Sequence, residues 1–246
     1  PSRSAGRQIR VVLHALFEFA VWQEIAESNP CKFVSAGGFE PRERVLSDDE
    51  LRSVWLALAA PDVIDGLFIS RQIALALQLC AVTLQRRAEV AEARLDEFDL
   101  TRGEWTIPAE RTKNRRTHLV PLSDLALEIV TEAKAAAGDS RHLFPSPRVN
   151  SDDDKPVTPA ALSHAFRRLA AKIKLKDARP HDLRRTGATG LARVGVRRFD
   201  VSAALNHTSD TGGAARVTGT YDRYDYAVEK RAALELWAKH LRKVVA

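Results

Sequence analysis

The chain has 246 residues, 45% of them hydrophobic and 28% charged, enough for one large core or for one domain with a smaller companion. Its longest apolar run, IALALQLCAVTL at 73–84, is too short to span a bilayer and is interrupted by Gln78, and no signal peptide is visible, so no membrane is expected as a partner. Two distant cysteines, Cys31 and Cys80, have no second ligand-type residue at metal spacing, a reduced, intracellular pattern that gives no hint of zinc or of a disulfide framework.

In chain order, residues 5–27 read as an amphipathic helix, with Ile9, Leu13, Leu16 and Ala20 at 3–4 spacing and Val12, Phe17 and Val21 widening the stripe. It stops at SNP, because the residue before Pro30 is pushed out of the helical region. CKFVSAGGFEPRER has the Gly and Pro content of a linker, which separates a first domain, 1–35, from a second, 45–246, by a linker at 36–44. The second opens with a capping box, Ser47 with Glu50, ahead of Leu51, Val54, Trp55 and Leu58. Residues 67–82 are apolar on nearly all sides and predict a helix at the centre of the core. TLQRRAEVAEARLDEFDL reads as a helix running into a strand or loop. Between 98 and 122 the composition turns β-like, TRG signals a turn, and the arms around ERTKNRR predict a short antiparallel hairpin with Lys113 at or near its tip.

Helices return at 124–137, closed by Gly138, and after Thr158, an N-cap followed by Pro159 at the first helical position. Others cover 181–194, ended by Gly195, and 199–206. A last one spans 227–244, with Leu234, Trp237, Leu241 and Val244 spaced 3, 4, 3. The fold expected is mostly α with a small antiparallel β-sheet, an α+β class. Methionine is absent throughout and the chain starts at Pro1, so an internal piece of a longer protein is expected.

The net charge of +6 is unevenly spread. Residues 164–198 hold eleven Lys or Arg against two Asp, whereas a solvated helix face normally mixes signs. A polyanionic partner follows. Within that segment, HDLRRTGATG places His181 and Arg184 one turn apart on one side of a helix. Two such groups sit together either on a solvated basic surface or around an anion. Arg86, at the end of the apolar helix, meets a carboxylate (Glu89 is the candidate) or faces a cleft. Lys113 alone is an ordinary exposed lysine.

Taken in order, these stretches resemble the catalytic domain of the tyrosine recombinases, the phage-integrase family. TLQRRAE is similar to the stretch holding the family's first catalytic arginine and supplies Arg86 with Glu89. TKNRRTHLVPL carries the hairpin lysine as Lys113. HDLR is the HxxR box, His181 and Arg184. LNH stands for the family's LGH box and gives His207, and VTGTYDRYDY holds the nucleophilic tyrosine. RVLSDDEL and LFPSP extend the likeness, and residues 5–35 look like the end of the family's helical core-binding domain. Two departures stand out. Leu84 replaces the glycine usual before the first arginine, so the turn there is expected to be made otherwise. SDTGGAARV lengthens the interval to the tyrosine, leaving Tyr221, Tyr224 and Tyr226 as candidates; Tyr221 is preferred because it precedes the xR of YxRxxY.

The resemblance implies a site-specific DNA recombinase that cleaves and rejoins DNA through a 3′-phosphotyrosyl intermediate. Arg86 and Arg184 would grip the phosphate, His181 act as acid/base, Lys113 protonate the leaving 5′ oxygen, His207 donate to the phosphate, and Tyr221 attack. No cofactor or metal is implied, and no carboxylate cluster suggests a two-metal site. The implied partners are double-stranded DNA and further copies of the chain, a tetramer on DNA, with accessory DNA-bending proteins, in the cytoplasm and nucleoid of a bacterial host. A type IB topoisomerase-like enzyme and a catalytically inactive DNA-binding relative are the alternatives. The terminal helix at 227–244 is expected to do more than close the core and, as the resemblance implies, to dock on a neighbouring subunit, the alternative being an ordinary packed amphipathic helix.

Overall fold

Ten consecutive residues, Ala74 to Thr83, are buried on every side of one helix. In the computed structural model, which describes residues 3–35, 42–147, 154–207 and 224–246, this helix is the axis of the larger of two compact units, Pro1–Glu43 and Arg44–Ala246.

In the first unit, α1 (Arg3–Trp22) ends five residues short of the predicted stop. Glu24 takes a left-handed conformation (φ 57°). Its N–H donates to Val21 O at 3.0 Å, and the Ile25 N–H donates to Ala20 O at 2.9 Å. This is the Schellman ending, which satisfies the last carbonyls before the proline can act. No described residue of α1 is buried.

The second unit begins with α2 (Asp48–Ala59), whose capping box is formed as expected: Ser47 accepts from the Glu50 N–H and Glu50 accepts from the Ser47 N–H. The central helix is α3 (Arg71–Thr83), followed by the five-residue α4 (Arg87–Ala91). An antiparallel meander comes next: β1 (Phe98–Asp99), β2 (Glu104–Ile107) and β3 (His118–Pro121), in the order β1-β2-β3. The register pairs Trp105 with Val120 and Ile107 with His118, and these four form the buried face while Thr106 points outward. The remaining helices are α5 (Asp124–Ala137), α6 (Pro159–Lys172), α7 (Pro180–Arg193), α8 (Arg198–Ala204) and α9 (Ala227–Val245). The fold is α+β.

Helices α2, α4, α5, α6, α7 and α9 surround α3. Two glycines of HDLRRTGATG make the closest approaches possible. A Cβ on Gly187 would lie 2.1 Å from the Leu84 side chain, and one on Gly190 would lie 2.5 Å from the Trp237 ring. Each glycine costs a helix interior about 1 kcal/mol relative to alanine. The burial of Leu84 and Trp237, 0% and 2% exposed, offsets that cost. Trp237 also donates from Nε1 to Ala81 O at 2.7 Å, at the end of α3 where a carbonyl lacks a helical partner. The apolar side of α9, from Ala233 and Leu234 to Trp237 and Leu241, is thus buried within its own chain.

Candidate active site

Arg86 follows α3 by a turn that Leu84 makes in glycine's place. Leu84 is left-handed (φ 58°, ψ 19°) and its N–H donates to Cys80 O at 3.1 Å. A non-glycine residue there costs roughly 1–2 kcal/mol. The turn is therefore the usual one, held by packing: the Leu84 side chain is fully buried over Gly187. The turn also presents the Leu84 carbonyl to the guanidinium of Arg184, which donates to it from Nη1.

Beyond the turn, Glu89 holds Arg86 at both ends. Its carboxylate accepts the Arg86 N–H and the Arg86 Nη1, each at 2.8 Å. Glu89 is 2% exposed while the Arg86 side chain keeps 24%. Of the two options the sequence left open, Arg86 takes the carboxylate with one nitrogen and still reaches outward with another: Nη2 donates to Asn206 O at 3.2 Å.

Arg184 lies one turn into α7, which starts at Pro180 and is capped by Asp182, whose carboxylate accepts the Arg179 N–H at 2.9 Å. Arg184 is only 4% exposed. Among the described residues no carboxylate bonds it; Nη1 donates to Leu84 O and Nη2 to Leu205 O. Burial, and then the neighbouring Arg86, push its pKa down to about 10, so it remains a cation at neutral pH. The two guanidinium groups thus meet consecutive carbonyls, Leu205 and Asn206, immediately ahead of His207. Close cations with, among the described residues, a single carboxylate between them leave unneutralised charge in a partly desolvated place, a setting that favours a bound anion.

His181, in the first turn of α7, is at the surface. Partial desolvation, then the charges of Arg184 and Arg185, hold its imidazole below the ordinary value. It is therefore neutral near pH 7 and able to accept a proton. His207 is exposed, its N–H donating to Ser202 O at 3.0 Å. Lys113 is exposed in the loop between β2 and β3. Arg111 anchors the base of that loop by donating to Glu89 O and to Glu97 Oε2, each at 2.9 Å. Five of the six predicted residues therefore lie on elements tied to one another by these bonds and by the loop contacts given below. The sixth, Tyr221, lies outside the described residues. Tyr224 is exposed, and Tyr226 is a packing residue, edge-on to Phe199 and to Tyr224 with ring centroids 4.8 Å apart in both pairs.

The family model for phage integrases matches residues 58–216, well over half of the chain. This protein belongs to the phage integrase family. The prophage integrase IntA of Escherichia coli (strain K12) is 36% identical over 157 residues, 64% of this chain and 36% of IntA. The prophage integrase IntZ of the same organism is 27% identical over 245 residues, 98% of this chain and 56% of IntZ. The chain thus spans about a third to a little over half of the length of these relatives. Among solved structures, a lambda integrase dimer bound to a COC′ core site aligns with a TM-score of 0.66 at 21% identity, covering 85% of this chain and 74% of that one. That likeness speaks for the fold.

In this integrase-family chain most of the Lys and Arg in the basic segment 164–198 lie at the surface. Arg167, Arg168, Lys172, Lys174, Lys176 and Arg179 are exposed. Arg184 is withdrawn, Arg185 pairs with Asp182 at 3.0 Å and Arg197 with Asp200 at 2.8 Å. Sequence reasoning missed two buried groups behind the arginines. His118, opposite Ile107 on the sheet's inner face, is driven down to about 3 by desolvation first and then by the charges of Lys230, Arg184 and Arg86. Its Nε2 has no hydrogen-bond partner among the described residues. Lys230 of α9 is pushed down to about 8 by burial and donates from Nζ to Leu119 O at 3.1 Å. A histidine in a β-type stretch and a lysine in an amphipathic helix carry no sequence signal that marks them for burial. Among the described residues, no group of three or more His, Cys, Asp or Glu is disposed to hold a metal ion, and no helix is long and apolar enough to cross a membrane.

Proposed function

We propose that this chain is the catalytic part of a site-specific DNA recombinase that cuts and rejoins DNA through a phosphotyrosyl link, without a metal. The observation that carries the reading is the pairing of Arg86 and Arg184 on the consecutive carbonyls of Asn206 and Leu205. Between them the two arginines can replace carbonyl partners by the non-bridging oxygens of one phosphodiester, with planar forks that stay charged. Each fixed donor aimed at the developing charge contributes about 3 kcal/mol to transition-state stabilisation.

The step balances within the protein and the DNA. The Tyr221 oxygen attacks phosphorus, the Tyr O–P bond forms, and the bond from phosphorus to the 5′ oxygen breaks. His181, neutral at working pH, takes the phenolic proton, and Lys113 gives one to the departing 5′ oxygen. His207 donates to a phosphate oxygen. Rejoining reverses each transfer, the 5′ hydroxyl attacking the phosphotyrosine. The energy of the broken bond is kept in the ester, so no co-reactant is needed.

Residues 1–35 are read as the end of a helical core-binding domain and 45–246 as the catalytic domain, joined by a linker at 36–44. The exposed cations of α6 and the 172–179 stretch would hold the duplex backbone, so binding weakens steeply as salt rises. Assembly as a tetramer on DNA, with DNA-bending proteins as accessories, completes the reading.

The test is covalent capture. Full-length protein is incubated with a library of nicked suicide duplexes carrying a randomised core, and adducts that survive detergent are collected. The expected result is an adduct, lost in Tyr221→Phe and retained in Tyr224→Phe. Loss only in Tyr224→Phe would move the nucleophile. DNA binding with no adduct in any variant would make the protein an inactive relative, and relaxation of supercoiled DNA without strand exchange would favour the topoisomerase-like alternative.

A further inference from the structure

The LNH stretch differs from the family's LGH at one residue, Asn206, and that residue has two roles in the structure. It ends α8: Asn206 is left-handed (φ 49°), its N–H donates to Ala203 O at 3.1 Å, and the His207 N–H donates to Ser202 O at 3.0 Å. This Schellman ending asks for glycine, with asparagine the next most tolerated residue. Glycine would satisfy the backbone alone. Asparagine also brings an amide, which meets the amide of Asn114 across 92 positions of sequence. Asn114 Nδ2 donates to Asn206 Oδ1 at 2.6 Å, and Asn206 Nδ2 donates back to Asn114 Oδ1 at 3.4 Å.

Asn114 directly follows Lys113. The base of the loop is fixed by Arg111 on Glu89 and Glu97 and by the Thr112 hydroxyl, which donates to Arg116 O at 2.8 Å. None of these bonds reaches the segment that carries His207. The amide pair does, and the Asn206 carbonyl simultaneously accepts from Arg86. We infer that Asn114 and Asn206 are positioning residues that hold the Lys113 loop against the arginine–histidine cluster, so that the lysine is delivered to the leaving oxygen.

The physical case is one of order. Fixing the backbone of a single loop residue costs ~1–2 kcal/mol. Without the amide pair, that cost falls at each turnover, when the exposed, long-stemmed lysine must find its oxygen. With the pair it is met once, on folding, and the acid is preset near its target. This inference rests on the proposed role of Lys113, so the experiment separates the two.

Full-length Asn206→Gly, Asn114→Ala, the double variant and Lys113→Ala are compared on the duplex recovered by adduct capture. One version has an ordinary phosphate at the scissile position and the other a sulfur in place of the bridging 5′ oxygen. A thiolate leaves without a proton, so loss of the general acid no longer matters. Asn206→Gly keeps the left-handed turn and hence the end of α8. On the ordinary phosphate, adduct formation is expected to slow roughly tenfold in either asparagine variant, part of the ~10²–10⁴ that a general acid supplies. The double variant should be no slower than the singles, and DNA affinity unchanged. On the sulfur substrate all of them, Lys113→Ala included, should return to within about twofold of wild type, a tenfold gap being ~1.4 kcal/mol. If Lys113→Ala is rescued but the asparagine variants stay slow, the pair supports the fold alone and the inference is overturned. The inference is equally overturned if the asparagine variants cleave the ordinary phosphate at the wild-type rate. If Lys113→Ala itself is not rescued, the role given to Lys113 fails, and the inference with it.

Discussion

In the first unit Ile9, Leu13 and Leu16 of α1 are 53%, 39% and 57% exposed, whereas in the second Leu75, Leu77 and Leu79 of α3 are at 0%. Both helices were legible from apolar residues alone, α1 from a stripe and α3 from a nearly continuous run. Their surroundings differ because periodicity records which side chains favour burial, and says nothing of whether a neighbour supplies the burying surface. Six helices do so for α3. A helix whose stripe is uncovered keeps its hydrogen bonds but gains little of the ~25 cal/mol per Å² that holds a core together.

A tryptophan in each unit gives the sharpest way to break this comparison. Trp237→Ala should cost the second unit about 3–5 kcal/mol, the sum of lost transfer energy and an uncollapsed cavity, with the Ala81 carbonyl left without its donor as well. Denaturant unfolding of the larger unit reads it directly. A loss under about 1 kcal/mol would mean that α9 does not close this core.

That packing also bears on how far the site could be read in advance. Arg86, Lys113, His181 and Arg184 were singled out by the order of motifs that resemble the family's, since local residue chemistry left each with an ordinary alternative, whereas the capping box at Ser47 and the antiparallel hairpin followed from local rules. The left-handed Leu84 was not foreseeable. Sequence showed that the glycine was missing, and only the space over Gly187, 103 positions later, explains how a leucine can fill the role. The Asn114–Asn206 contact and the burial of His118 and Lys230 were hidden for the same reason: they are products of long-range packing, and neither residue type nor spacing signals them. Where α1 ends was missed because Glu24 adopts a backbone conformation that glutamate seldom takes.

A smaller effect should appear in acid. The His118 imidazole, faced by Lys230, Arg184 and Arg86 with only the Ala204 backbone opposing them, has its folded pKa lowered to about 3 from an ordinary value of 6.5. Between those limits the unfolded chain binds more protons than the folded one, so stability falls as pH drops from about 6.5 toward 3 and is fully present above 6.5. His118→Gln removes that titration. Its unfolding free energy should decline less steeply than that of the wild type, the remaining slope coming from His142, His181, Glu50 and Glu132, whose folded pKa values are also lowered, after an offset for altered packing at neutral pH. Parallel curves for the two proteins would show that the imidazole is not the group being titrated.

The smallest expected effect is in the first unit, at Trp22→Ala. Trp22 is 75% exposed and, among the described residues, its one ring contact is with Phe19, centroids 6.0 Å apart at 49°. Truncating an exposed side chain away from caps and charge networks changes stability by less than about 0.5 kcal/mol, and alanine is the best helix former, so α1 could even gain. Amide hydrogen exchange can resolve so small a change, because α1 reports its own opening apart from the larger unit. The α1 amides should exchange orders of magnitude faster than those of α3 in the wild type, and no faster in Trp22→Ala. Protection of α1 approaching that of α3, lost on the substitution, would mean that this indole is covered in solution and that α1 belongs to a core of its own. The two units would then differ in the partner each requires, and no longer in whether their apolar faces are used.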